Sequence, residues 1–357
     1  MIKAAFGRLF LSSGNGMPAN FGSDNSSGVH PSIIEALARA SVGSAPAYGA
    51  DALTKKVESR LASLFECEVT ALLVSTGTAA NCIGLATLTS PFSGIYAHAE
   101  AHITNDESTA PELYTSGARQ FIVGGDDAKP DLEELAQKID VSGARGVHSV
   151  QPAVISISNL TELGARFSPD EIAAYSELAK NHGMKLFMDG ARFANAVAGG
   201  SESPADLTWR CGVDALSFGA TKNGAMAAEA LVFFNPDEAI LAEFHRKRGG
   251  HLWSKYRYLA AQFDAYLEGD LWLELATASN TIMARLRDSI SSSKNASILA
   301  GGGNELFISM EEDVVERLLQ RGHMFYAWPS LPMAYRLVTS FTTTTAEIDE
   351  FIDDLNS

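Results

Sequence analysis

Past Asp214, the one charged side chain in DALSFGATKNGAMA is Lys222, among Gly219, Ala220, Gly224 and Ala225 in the small-residue segment that follows the apolar run ALSF. An ammonium that leaves water loses strong hydration, so a lysine here either snorkels to solvent or serves chemistry. Desolvation favours the neutral amine, the form that attacks a carbonyl to make a Schiff base. Upstream, KLFMDG ends a second apolar run at Asp189, with Arg192 three residues on. A carboxylate in that place either caps the next helix or keeps a ligand's ring nitrogen protonated. EAHITNDE carries His102, which makes a structural hydrogen bond or lays an imidazole over a flat ligand. Finally, VTALLV runs into STGTAANCIGLATL, a tight turn opening a helix of small residues. Free backbone N–H groups and the hydroxyls of Thr76 and Thr78 make this either a capped strand–helix turn or a phosphate cup.

Taken in order, the four groups describe a phosphate anchor, a flat platform, an acid for a ring nitrogen and an amine nucleophile, each after a separate apolar run. Pyridoxal 5'-phosphate makes those four demands. No G-x-G-x-x-G follows the first apolar run and no G-x-x-x-x-G-K-[ST] occurs, which disfavours dinucleotide and nucleoside-triphosphate sites.

The elements that must position these groups are legible from hydrophobic runs at 69–74, 94–98, 119–123, 153–158, 185–190, 213–218 and 230–234. Continuous apolar runs mean burial on both faces, as for central strands of a helix-covered parallel sheet. In such α/β sheets ligands bind where strands end at their carboxyl edge. Between two of the runs, SPDEIAAYSELAKNHG has Ser168 and Glu171 spaced as a capping box, Pro169 in the first turn and Gly183 as terminator. HPSIIEALARA places Pro31 at a first helical position, and VESRLASLF gathers Val57, Leu61, Leu64 and Phe65 on one helical face. Past Phe234 helical stretches run to Leu273, followed by ASILAGGGNELFISM, a short helix near VVERLLQRG, the extended FYAW and AYRLVTS, and a terminal helix. The expected organisation is an N-terminal arm (1–30), a large α/β domain (31–268) with a mostly parallel seven-stranded sheet, and a small α+β domain (269–357).

With 357 residues, 46% hydrophobic and 20% charged, the chain has enough apolar material for one large core and a smaller one. A formal charge of −16 would repel phosphate backbones, so neither nucleic acid nor an anionic membrane is an expected partner. Cys67, Cys82 and Cys211 lack C-x-x-C spacing and are odd in number, which indicates neither a disulfide framework nor a zinc knuckle and suits a reducing cytoplasm. No metal site is expected. The opening MIKAAFGRLFLSSGNG carries Lys3 and Arg8 but only a short, interrupted apolar stretch, and reads as an arm rather than a removed leader.

The segments FGSDNSSGVHP, AYGADALT, STGTAAN, EAHITNDESTAPE, MDGARFANA, SFGATKNG and AYRLVTS, in this order, resemble the low-specificity L-threonine aldolases. That family has fold type I of the aspartate aminotransferase superfamily, and the match is nearest to its bacterial branch, which includes phenylserine aldolases. The resemblance implies that Lys222 forms the Schiff base, Asp189 pairs with the pyridine nitrogen, His102 stacks on the ring, and Gly77 and Thr78 hold the phosphate. Ser23, Arg192 and Arg336 would hold the substrate carboxylate. Tyr48 would line the site from a neighbouring subunit and Lys255 would reach the phosphate across a dimer. The implied assembly is a homo-oligomer, a dimer at the least and a tetramer in full. The implied reaction is cleavage of the Cα–Cβ bond of threonine, allo-threonine or phenylserine to glycine and an aldehyde, with β-elimination or transamination as the alternative on the same fold. One departure stands out: Asp106 occupies the place, four past His102, where many relatives carry an aromatic residue.

Overall fold

The computed structural model describes residues 18–357, so the MIKAAFGRLFLSSGNG segment lies outside the described residues. All seven apolar runs are strands of one sheet: β1 (Thr70–Val74), β2 (Ser93–His98), β3 (Arg119–Val123), β4 (Gln151–Ser158), β5 (Lys185–Gly190), β6 (Ala215–Gly219) and β7 (Glu229–Phe233). Their spatial order is β1-β7-β6-β5-β4-β2-β3. Every pairing is parallel except those of β7, which runs against both β1 and β6. The expectation of seven central strands needs correction at the margins. β1 and β3 form the edges, and β3 is only partly buried, with Ile122 exposed.

Helices cover the sheet: α1 (Pro31–Ala40), α2 (Ala52–Phe65), α3 (Gly77–Leu88), α4 (His102–Asn105), α5 (Ala110–Tyr114), α6 (Leu132–Gly143), α7 (Pro169–Asn181), α8 (Phe193–Ala198), α9 (Ala242–Arg248) and α10 (Arg257–Leu267). The Ser168–Glu171 capping box starts α7 as its spacing predicts, and Gly183 follows the helix with φ +66°. Under the carboxyl edge, Phe218 of β6 meets Phe65, Phe193, Phe263 and Trp272, with ring centroids 5.6–6.1 Å apart. Burial of that many aromatic faces makes the end of β6 a rigid mount for the residues after it.

The C-terminal part departs from expectation in one respect. Helix α11 (Leu271–Ser291) does not end near Leu273 but continues for 21 residues, burying Trp272, Leu275, Ala276, Ser279, Met283, Leu286 and Ile290 at helical spacing. It packs on a four-stranded antiparallel sheet in the order β10-β11-β9-β8, made of β8 (Ala296–Gly302), β9 (Glu305–Met310), β10 (Tyr326–Ala327) and β11 (Ala334–Val338). Helices α12 (Glu312–Gln320) and α13 (Thr345–Asn356) complete this layer. The chain from Ala19 to Asp24 docks beside the small sheet, where Phe21 N–H donates to Met324 and Phe21 C=O accepts from Val338. That docking carries Ser23 and Asp24 to the junction of the two sheets.

Candidate active site

Because β7 is reversed, its first residue lies at the same sheet edge as the last residues of β1, β4, β5 and β6. A cavity of about 280 Å³ opens there. Asp189, Arg192, Lys222, His102, Gly77 and Thr78 all line it, so six of the expected groups converge.

Lys222 sits in the turn after β6, half-buried, with no hydrogen bond or ion pair among the described residues. Gly219 permits this placement: a Cβ there would lie 2.6 Å from the Ala191 carbonyl oxygen, so only glycine lets the β6 end approach the chain after Asp189 so closely. Asp189 is buried, its Oδ2 accepting from Asn81 at 2.7 Å and its Oδ1 from the Ala191 N–H at 2.9 Å. Thr76 caps α3 by accepting the Ala79 N–H. A Cβ built at Gly77 meets nothing within 4 Å, so the first turn of α3 faces open cavity.

His102 begins α4. Its backbone N–H donates to Glu162, and its Nδ1 lies 2.7 Å from Glu107 Oε1. Burial alone would lower the imidazole's pKa, but the Glu107 hydrogen bond and the charge of Asp189 prevail and hold it above the ordinary histidine value. Asn81 links this pair to the other acid, since its amide donates to both Glu107 and Asp189. Desolvation pushes Glu162 up to about 7 against the hydrogen bond it accepts from Ser158.

Arg192 is buried between two acids. Asp24 takes its Nε and Nη2, and Glu305 stands 3.2 Å from Nη2. Its Nη1 makes no hydrogen bond or ion pair among the described residues. Burial tends to raise the Asp24 pKa, but Arg192 and Lys222 hold it below the usual carboxylate range; burial raises Glu305, partly offset by Arg192 and Arg336. Arg336, on β11, donates to the Gly22 carbonyl at 3.3 Å, stacks over Trp328 and lies 3.7 Å from Glu305. Neither Arg336 nor Ser23 lines the cavity wall; Ser23 accepts the N–H of Asn25, which does. Asp106 is exposed, its charge felt at Arg336. Tyr48 and Lys255 are exposed and do not line the cavity; Tyr48 lies under the Lys247 ammonium and bonds through its backbone to Ser254.

Sequence reasoning missed Asp24, Asn81, Glu107, Glu162, Glu229 and Glu305. Signals existed for three of them. Asn81 falls one helical turn beyond Gly77 and Thr78, Glu107 follows His102 in the same segment, and Glu162 follows the β4 run. Glu229 and Glu305 each begin a strand, where a search of strand ends does not look.

Pyridoxal 5'-phosphate fits these residues. An open, uncharged helix turn suits its phosphate, an unpaired amine its aldehyde, and a buried carboxylate held by two donors its ring nitrogen.

The family model described as "Beta-eliminating lyase" matches residues 20–317. A low specificity L-threonine aldolase of Pseudomonas aeruginosa is 34% identical over 339 residues, covering 94% of this chain and 96% of the relative. Another from a Pseudomonas species is 33% identical, covering 94% and 97%. The structure of Leishmania major threonine aldolase superposes with a TM-score of 0.87 at 28% identity, over 95% of this chain and 98% of that one. With the strand order, the converging cavity and these full-length similarities in hand, the chain belongs to the beta-eliminating lyase family, among its low-specificity L-threonine aldolases.

Proposed function

We propose that this protein is a pyridoxal 5'-phosphate-dependent aldolase that cleaves the Cα–Cβ bond of L-β-hydroxy-α-amino acids, threonine, allo-threonine or phenylserine among them, to glycine and an aldehyde. The observation that carries this reading is the convergence of Lys222, Asp189 and the open first turn of α3 on one cavity in a chain of this family. When bound, the cofactor supplies an electron-withdrawing ring that accepts the electrons of the broken bond.

The side chains have separate tasks. Lys222 offers the amine that holds the cofactor's aldehyde, and Gly77 and Thr78 hold its phosphate. Asp189, kept in place by Asn81 and the Ala191 N–H, keeps the ring nitrogen protonated. Arg192 presents its free Nη1 to the substrate carboxylate, with Arg336 and Ser23 assisting, so that the scissile bond is aligned for cleavage. His102 covers the ring and takes the β-hydroxyl proton, directly or through water. Asp106 stands where many relatives carry an aromatic residue, so the preference between a methyl and a phenyl β-substituent is decided by the substrate panel below.

The finer assignments form part of the same proposal. The enzyme is a cytoplasmic homo-oligomer, with Tyr48 and Lys255 completing a neighbouring subunit's site; their exposure beside Lys247 and Ser254 supports that role. The large and small domains divide at 268/269, where the chain breaks between α10 and α11. The test is a panel of L-threonine, L-allo-threonine and both phenylserine diastereomers, assayed for aldehyde and glycine. Release of keto acid or ammonia without glycine would replace the aldolase with an aminotransferase or a β-eliminating lyase.

A further inference from the structure

Glu229 opens β7, and the sheet register determines its surroundings. It pairs with Val74, the last residue of β1 before the Ser75–Thr78 turn, and with Gly219, the last residue of β6 before the lysine turn. Its carboxyl is buried, lines the same cavity as Thr76, Gly77 and Lys222, and accepts the Ala220 N–H at 3.1 Å. An acid thus stands in the part of the cavity suited to a phosphate. Two anions in contact in a desolvated site repel strongly, so this carboxylate either weakens the cup or is not an anion when the cup is filled.

The charged and titratable groups facing it are few. Lys222 attracts its negative form from the turn after β6, Asp189 opposes it from β5, and the Tyr266 hydroxyl faces it from α10. Strands β1 and β6 and the whole of α3 bring no charged side chain. Burial outweighs the attraction of Lys222 and pushes the Glu229 carboxyl up to about 7.

We propose that Glu229 binds the phosphate end of the cofactor as a neutral acid, donating its O–H to a phosphate oxygen, so that cofactor capture takes a proton from water. This rests on the pyridoxal phosphate reading above. It converts a repulsive contact into a charge-assisted hydrogen bond and makes cofactor retention fall as pH rises. No proton is transferred onward; the acid keeps it while the phosphate stays bound.

The experiment is calorimetric titration of the apoenzyme with pyridoxal 5'-phosphate, pyridoxal and inorganic phosphate between about pH 6 and about pH 9, in buffers of different ionisation enthalpy. Wild-type protein is expected to take up protons with the two phosphate ligands but not with pyridoxal, and to lose affinity for them by up to about tenfold per pH unit above neutrality. Glu229→Gln, which keeps a donor without a charge, is expected to flatten that dependence and to bind more tightly than wild type at the alkaline end. Equal pH slopes for Glu229→Gln and wild type, with phosphate binding intact, overturn the role of Glu229 alone. Failure of wild type to bind pyridoxal 5'-phosphate at any pH overturns the cofactor reading and this inference with it. Should the variant not fold, proton uptake by wild type decides: its absence overturns the proposal.

Discussion

Arg192 and Asp24, 168 residues apart in sequence, form a bidentate ion pair, with Nε–Oδ2 at 2.8 Å and Nη2–Oδ1 at 3.1 Å. The fork is planar and both partners are buried, so the pair sets where the remaining guanidinium nitrogen points. Asn304 adds a third bond to Asp24 at 3.1 Å. Removing Asp24 leaves the buried Arg192 with the Glu305 contact at 3.2 Å and takes away its bidentate partner. Asp24→Ala is expected to cost about 3–5 kcal/mol in urea unfolding and to raise KM for the amino acid. An unchanged stability and KM would show that Glu305 alone suffices to hold Arg192.

Lys222→Ala is expected to abolish aldehyde release and the yellow colour that the cofactor-loaded wild type is expected to show. Its unfolding free energy should stay within roughly 1 kcal/mol of the wild-type apoprotein, because this half-buried side chain makes no hydrogen bond or ion pair among the described residues. Asp189→Ala should also cripple turnover. Full activity in either variant, measured with L-threonine and phenylserine, would defeat the assignment of these roles.

Glu107 raises the His102 pKa through the 2.7 Å contact at Nδ1. Glu107→Gln removes that support while keeping the shape, so the His102 pKa falls. If the neutral imidazole takes the β-hydroxyl proton, the acid limb of the kcat/KM profile moves to lower pH. A limb that stays in place would assign proton removal to another group.

His323 provides a stability readout away from the cavity. It is buried, Nδ1 accepting the Ala19 N–H at 3.0 Å and Nε2 lying 3.0 Å from Asp354. Burial, with Arg321 nearby, pushes it down to about 4 from 6.5. Between those values the unfolded chain binds a proton that the folded protein refuses, so stability falls as pH drops from about 6.5 toward about 4. His323→Gln should flatten this dependence in urea titrations across the window; an undiminished slope would place its origin elsewhere.

The seven large-sheet strands were legible because each is built around a short apolar run, and α7 because its cap chemistry is local. Lys222, Asp189 and the α3 turn were legible because each directly follows such a run and the strand ends share an edge. The extent of α11 was obscured by the polar stretch from Thr277 to Thr281, within which Ser279 and Asn280 turn inward to bond Asn195, although the inward stripe continues to Ile290. The half-exposed edge character of β3 cannot be read from RQFIV, since neighbours, not composition, decide which strand is last.

The amino-acid order alone determined the strand–helix alternation and the chemical types at the ends of the strands, because hydrophobic periodicity and capping act over a few residues. Which acids would join them was decided in three dimensions. The reversal of β7 brings Glu229 to the carboxyl edge, and the docking of residues 19–24 against the small sheet brings Asp24 to Arg192. Strand direction and long-range docking depend on how the whole core packs, and nothing within a local window of sequence encodes them.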